Sequence, residues 1–219
     1  MTPDLSDWGA VTALQPIAGG ARRSVWRGRL NGREIVAKSP ALPEPSLCWQ
    51  LRVETLARRA GFDTPGLLPT RSGALASAGW TVEPFLAGAP LSPTAIPPLL
   101  LVRFHAACAG VPRRPGRRAR RLPGRWDRLA APRRPAGPVG VIHGDLHAGN
   151  LLRRPSGRIA LLDWEEARIG PRLLDLAACK PGLPRALAAQ MRSELAACAT
   201  SEPHHAKRLA RALLARNWP

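Results

Sequence analysis

Acidic residues are scarce in this chain: 15 Asp and Glu stand against 33 Lys and Arg over 219 residues, a formal net charge of +18. Lysine is scarcer still, with only Lys38, Lys180 and Lys207, so the positive charge is almost all arginine. Such a field favours anionic partners and repels polycations, and it makes the position of each carboxylate informative. No Cys-x-x-Cys pair occurs among Cys48, Cys108, Cys179 and Cys198. A structural zinc site therefore has no support, and the Ala- and Leu-rich surroundings predict buried free thiols of a reduced compartment. No long apolar run occurs either. The longest uncharged stretch, Pro84 to Val102, is broken by Pro90, Pro93, Pro97 and Pro98, which a membrane-spanning helix would not tolerate. The acidic, polar start has no secretory hydrophobic region. What is present, 45% apolar and 22% charged residues, is the composition of a soluble globular chain with a real core, in one domain or two small lobes. The expectation is a cytoplasmic protein.

Periodicity and turn chemistry predict an α+β plan. Val11–Ile17, Val25–Leu30 and Arg33–Lys38 read as three antiparallel strands. A glycine loop at 19–24 joins the first two, and Asn31-Gly32 is a two-residue hairpin turn. Ser46 is the expected cap of a helix over Leu47–Ala60 that Gly61 closes. Leu67-Leu68 and Trp80–Val82 are further strand candidates, Gly88–Pro98 a linker, and Leu99–Ala109 an apolar helix. Residues 113–134 carry ten arginines among prolines and glycines, with Asp127 the only acid. They read as an irregular insert with one short helix near Trp126–Ala130. Val139–Ile142 is a short strand, residues 151–162 a hairpin turning at Pro155-Ser156-Gly157, and 184–200 and 203–217 two helices. The seven tryptophans are read as mostly core, and His105, in an apolar helix, as a hydrogen-bonded core histidine.

The chemistry concentrates at 143–163. Asp145 and Asn150 stand as Asp-x-x-x-x-Asn, and Asp163 follows at the end of a hydrophobic strand. Phosphoryl transfer from a nucleotide needs one carboxylate to orient the attacking hydroxyl, and an amide and a second carboxylate to hold magnesium. A hairpin between Asn150 and Asp163 brings the latter two to one side of a cleft. Upstream, Gly19 and Gly20 let backbone N–H groups approach phosphates. Lys38 ends the third strand within reach of the α- and β-phosphates, Glu54 is the candidate partner that fixes it, and the extended Trp80–Phe85 segment offers backbone to an adenine edge.

At these residues the chain resembles the aminoglycoside phosphotransferase and choline kinase superfamily, small-molecule kinases with a protein-kinase-like fold. Val-Ile-His-Gly-Asp-Leu-His-Ala-Gly-Asn-Leu-Leu (141–152) looks like the family's catalytic loop, and residues 161–177 like its metal-binding segment. The resemblance implies a bilobal architecture: a small antiparallel β-rich lobe over 1–87 that binds the nucleotide, then a shortened, mainly helical lobe over 88–219 with an Arg-rich insert at about 112–135. It implies Asp145 as the catalytic carboxylate, Asn150 and Asp163 as magnesium ligands, and His143 and Asp175 as braces of the catalytic loop. Gly19, Gly20, Ser24, Lys38, Glu54, Glu83 and Phe85 would serve the nucleotide. The cofactors implied are ATP, with GTP as the alternative donor, and Mg2+. The partner is a small-molecule alcohol; no membrane and no specific nucleic acid is expected, and the chain is expected to be a monomer. Thiamine- and choline-type kinases are the members it most resembles.

Two rival readings use other residues. His143, Asp145 and His147 alternate as His-x-Asp-x-His and could hold zinc in a metallohydrolase. The arginines of 113–134 could bind nucleic acid, although no interleaved aromatics provide a stacking platform. The zinc reading leaves the glycine loop, Lys38 and Asn150 idle, and composition bias with a solvated loop explains the arginine run more simply. The acceptor itself is predicted from charge: once Asp145, Asp163, Asp175 and Glu54 are committed, only Glu165, Glu166, Glu194 and Glu202 remain near the acceptor side, a poor trap for a polycation.

Overall fold

The computed structural model describes residues 2–17, 24–116, 137–180, 195, 206–207 and 209–211. Within them the fold is α+β. Strands β1 (Val11–Ile17), β2 (Ser24–Leu30), β3 (Arg33–Ser39) and β4 (Thr81–Pro84) form an antiparallel sheet in the order β1-β2-β3-β4. The predicted hairpin is present: Leu30 pairs with Arg33, and both turn residues, Asn31 and Gly32, have positive φ. That geometry matches the right-handed twist of the flanking strands. The second strand begins at Ser24 rather than Val25.

Helix α1 (Glu44–Ala60) lies between β3 and β4 in the chain. It starts three residues before the expected Leu47, with Pro43 at the N-cap, so Ser46 is not a cap but a buried residue of the first turn. Gly61 closes the helix in the left-handed conformation at φ 114°, as expected. Two further sheets follow. One joins β5 (Ala89–Pro90), β7 (Leu151–Arg153) and β8 (Ile159–Leu161); the other pairs β6 (Val139–Ile142) with β9 (Arg168–Pro171). Helices α2 (Pro98–Ala107) and α3 (Leu173–Cys179) complete the described elements. The linker expected at 88–98 thus contains a strand and a 3-10 turn over Pro93–Ala95. The helix expected at 126–130 lies outside the described residues, as does most of 184–200 and 203–217, of which the described residues 195, 206–207 and 209–211 are helical.

The sheet pattern sorts the side chains. On β3, Ile35 and Ala37 face a cluster with Leu5, Trp8, Trp80 and Val82. The alternate residues Val36 and Lys38 face the other way. A larger cluster gathers Val53, Ala57, Phe62, Leu101, Phe104, Leu151, Leu161 and Trp164, in which α1 packs mainly on α2 and also meets the turn at Trp164–Glu166. Trp8, Trp49, Trp80 and Trp164 are core residues, as expected. Cys108 and Cys179 are buried free thiols, whereas Cys48 is exposed on α1, against expectation. Among the described residues no helix is long and apolar enough to cross a membrane.

Candidate active site

Residues facing one another across antiparallel strands share a sheet face. Val36 pairs with Glu83 and Lys38 with Thr81, so Lys38 and Glu83 are diagonal neighbours on one face. Lys38 Nζ lies 2.7 Å from Glu83 Oε1 and 3.6 Å from Asp163 Oδ1. Burial works against the ammonium, but the Glu83 and Asp163 carboxylates outweigh it and raise the Lys38 pKa. Lys38 therefore stands charged in a recess that it lines with Gln50, Thr81, Glu83, Trp164 and Glu165.

Glu54 does not fill the role expected of it. Its Oε1 accepts from Gln50 Nε2 at 2.9 Å and its Oε2 from the Gly66 N–H at 2.7 Å, and Glu83 takes its place on Lys38. Fully buried, Glu54 has a raised pKa, chiefly through desolvation. Glu83 and Phe85 also differ from expectation. The Glu83 side chain holds Lys38, the Phe85 N–H donates to Glu34 O at 3.0 Å, and Pro84 has no N–H. Phe85 instead lies under Arg27, whose guanidinium carbon is 4.1 Å from the ring centroid. Ser24 is exposed at the start of β2, and Gly19 and Gly20 lie outside the described residues.

The β7–β8 hairpin brings the next group together. Leu151 pairs with Leu161, and Leu162 N–H donates to Asn150 O at 2.9 Å, so Asn150 and Asp163 flank its open end. Asn150 Nδ2 donates to both the backbone O and Oδ2 of Asp145, each at 3.0 Å. These bonds leave Asn150 Oδ1, the atom of that amide able to ligate a cation, out of the pairing. Asp163 has left-handed backbone, φ 58° and ψ 68°, a conformation Asp tolerates better than most residues. Its buried Oδ1 has no hydrogen-bond partner. An oxygen-only Asn–Asp pair with one such atom suits a hard cation that keeps phosphate and water as its other ligands.

The loop before it is braced from below. Asp175, on α3, accepts the His143 N–H at 2.9 Å and His105 Nε2 at 3.1 Å on Oδ2, and the Gly144 N–H at 3.0 Å on Oδ1. Gly144 has φ 81°, and a Cβ there would collide with the Arg168 guanidinium and approach Glu166 O to 3.0 Å. His143 Nε2 donates to Leu162 O at 2.8 Å, tying the loop to the strand end that precedes Asp163. Burial lowers the His143 pKa, against the pull of the Asp175 carboxylate. His105 is the core histidine expected, with Asp175 as its partner.

Asp145 sits higher in the loop, its side chain 44% exposed. Burial alone would raise its pKa, but the hydrogen bond and charge of His147, with His143 and Asn150, lower it. His147 Nδ1 accepts the Gly149 N–H at 3.0 Å, and its Nε2 lies 3.6 Å from Asp145 Oδ2. The zinc reading fails on this geometry: His143 is sealed in the core on a backbone carbonyl, and no three His, Cys, Asp or Glu among the described residues are grouped to hold a metal ion.

Asp175 yields a stability prediction. Desolvation opposes its charge, yet the His105 hydrogen bond, the histidine charges and the Gly144 N–H lower its pKa below 3.8. A depressed carboxylate stabilises the fold above its unfolded value, and that stability is lost as pH falls through the folded one. Asp175→Asn is expected to cost about 3 kcal/mol at pH 7, because an amide nitrogen then faces a donor. Denaturant titrations at pH 7 and pH 3 check this; the gap between the two proteins should shrink at the lower pH.

One described residue escaped the sequence reading. Arg114, which the sequence places in the irregular basic insert, is buried against α1 and the turn after Asp163. Its guanidinium is occupied by protein acceptors and cannot meet the phosphates of a nucleic acid. The remainder of that run, from residue 117 to 134, lies outside the described residues.

Comparison with known proteins agrees with the fold. The model of the family described as "Phosphotransferase enzyme family" matches residues 114–210. No curated protein matches the chain. Among solved structures, the choline kinase of Streptococcus pneumoniae is similar with a TM-score of 0.61 at 14% identity, covering 94% of this chain and 95% of its own. An aminoglycoside phosphotransferase from Alicyclobacillus acidocaldarius has a TM-score of 0.54 at 18% identity, covering 96% and 90%. A thermostable mutant of another aminoglycoside phosphotransferase, in ternary complex with ADP and hygromycin B, has 0.59 at 14%, covering 95% and 94%. Residues 141–177, which resemble the aminoglycoside phosphotransferase and choline kinase superfamily, thus lie within the span that the phosphotransferase family model matches, and the fold is similar over nearly the whole chain to solved aminoglycoside phosphotransferases and a choline kinase.

Proposed function

We propose that this chain transfers the γ-phosphate of ATP, with GTP as the alternative donor, to a hydroxyl of a small molecule. The observation that carries the reading is the convergence of Asp145, Asn150 and Asp163 at the open end of one hairpin, with Lys38 in contact with Asp163. Residues 1–87 would hold the nucleotide and residues 88–219 the catalytic loop. Asp145, ionised and partly exposed, orients the acceptor hydroxyl and takes its proton. Lys38 turns from Glu83 to the phosphates. Asn150 Oδ1 and Asp163 would hold magnesium, which when bound supplies charge neutralisation across the phosphate oxygens. Asp175 and His143 keep the loop in place while this happens, and catalysis is largely positioning and electrostatics. The reading carries with it a cytoplasmic monomer.

The acceptor is read as a small neutral, zwitterionic or anionic alcohol. Two of the carboxylates left for a cationic acceptor already have local duties. Glu165 lines the Lys38 recess and adds to the field on that lysine, and Glu166 Oε2 lies 3.9 Å from Arg168. Glu194 and Glu202 lie outside the described residues. The net charge of +18 opposes a polycation at long range. A monocation of choline or thiamine type needs only one carboxylate or one aromatic face. A transfer assay with ATP and GTP, run in parallel on sugar alcohols, choline, thiamine and kanamycin-like compounds, is expected to give turnover in the first three groups only. Efficient phosphorylation of a polycationic aminoglycoside at physiological salt would overturn the acceptor reading.

A further inference from the structure

The residue that this function leaves unused is Arg114, and it is the most heavily bonded side chain near the site. Only 6% exposed, it donates Nε to Ser46 Oγ at 2.6 Å and Nη2 to Gln50 Oε1 at 3.0 Å, both on α1. Nη1 is shared among three backbone carbonyls, Trp164 O at 3.0 Å, Glu165 O at 2.9 Å and Ala167 O at 3.2 Å. The guanidinium carbon stands 5.3 Å from the centroid of the Trp49 ring. Only the planar five-donor fork of arginine can serve a hydroxyl, an amide and three carbonyls from one buried point.

Those three carbonyls belong to the 3-10 turn Trp164–Glu166 and the residue after it, and Asp163 is the residue immediately before the turn. Left-handed backbone at a residue other than glycine persists only where its surroundings over-determine it. On the upstream side Leu162 is held through its N–H on Asn150 and its carbonyl on His143. On the downstream side Arg114 holds the turn. The chain of bonds continues from Arg114 through Gln50 to Glu54 and the Gly66 N–H. Glu54, expected on Lys38, ends this second network instead.

We propose that Arg114 is a positioning residue that locks the turn after Asp163 onto α1, and so keeps the Asp163 carboxylate aimed at the cation and at Lys38. The inference rests on the function proposed above, because it assigns a purpose to the aim of Asp163. Arg114 touches neither nucleotide nor acceptor in this scheme; it acts through the backbone of 164–167.

The test uses the full chain as Arg114→Ala and Arg114→Lys, with two readouts. Amide hydrogen exchange reports local opening of a segment without global unfolding. In Arg114→Ala, exchange over residues 163–168 should accelerate by about tenfold or more, with strands β3 and β4 unchanged. Calorimetry with ATP, with and without magnesium, should show affinity for Mg-ATP falling by about 10–100-fold, the usual cost of losing an outer partner of a metal site. Metal-free ATP binding should stay near wild type. Arg114→Lys keeps the charge but not the fork, and should show the same selective defect at a smaller size. If Arg114→Ala does not fold, Arg114→Lys carries both readouts. Unchanged exchange over 163–168, acceleration spread evenly over the chain, unfolding of both variants, or equal losses with and without magnesium would overturn the proposal. A wild-type protein that binds no Mg-nucleotide would instead sink the phosphotransferase reading, and the exchange experiment would still decide whether Arg114 locks the turn.

Discussion

Asp145→Asn is expected to lower phosphate transfer by about a hundredfold or more, the scale of losing a general base, and to leave nucleotide binding near wild type. The asparagine keeps the shape, and its Oδ1 can still accept from Asn150 Nδ2 as the carboxylate does. What it cannot do is accept a proton from the attacking hydroxyl. The wild-type group is suited to that task, since His147, His143 and Asn150 lower its pKa against the cost of burial and keep it ionised at neutral pH. The side chain is also open enough to solvent to meet an acceptor. Initial-rate kinetics beside calorimetry with Mg-ATP separate the two effects. Near-normal turnover in a folded Asp145→Asn protein would remove Asp145 from the reaction.

Asp163→Ala should weaken magnesium-dependent nucleotide binding by about a hundredfold or more, since even outer partners of metal sites cost 10–100-fold. Alanine also tolerates φ 58° poorly, so part of any loss could come from backbone strain. Asp163→Asn resolves this, because asparagine accepts left-handed backbone while lacking the charge. Both variants should lose Mg-ATP binding, and metal-free ATP should bind no worse than before. Wild-type affinity for Mg-ATP in Asp163→Asn would mean that the cation is held elsewhere.

Much of this site was legible because its residues are close in sequence and its elements are local. The Asn31-Gly32 hairpin, the 151–162 hairpin and the helix ended by Gly61 each carry their own turn chemistry, and the order Asp145, Asn150, Asp163 follows from them. What escaped depends on pairing between distant segments. Strand β9 exists because Arg168–Pro171 pairs with β6, some thirty residues earlier, and nothing in its short, mixed sequence alternates clearly. Glu83 partners Lys38 because β4 aligns it opposite Val36, a register that periodicity alone does not set. Glu54 sits mid-helix where a pairing glutamate was expected, yet the rotation of α1 points it at Gln50 and Gly66. Arg114 was hidden by its company: among ten arginines in twenty-two residues, no local signal marks it as buried.

The Lys38 recess has the opposite sign to the protein around it. Glu83, Asp163 and Glu165 all bear on the one lysine, inside a chain whose net charge is +18. A polyanion is thus drawn in from afar and then meets a floor of carboxylates. The outer field governs how often the donor arrives and fades with added salt, while the floor governs what stays. A bare triphosphate is disfavoured there; one already screened by a divalent ion is not. In the proposed function the recess would act as a filter on the form in which the nucleotide is delivered, and free nucleotide in excess over magnesium should be a weak competitor rather than a dead-end occupant.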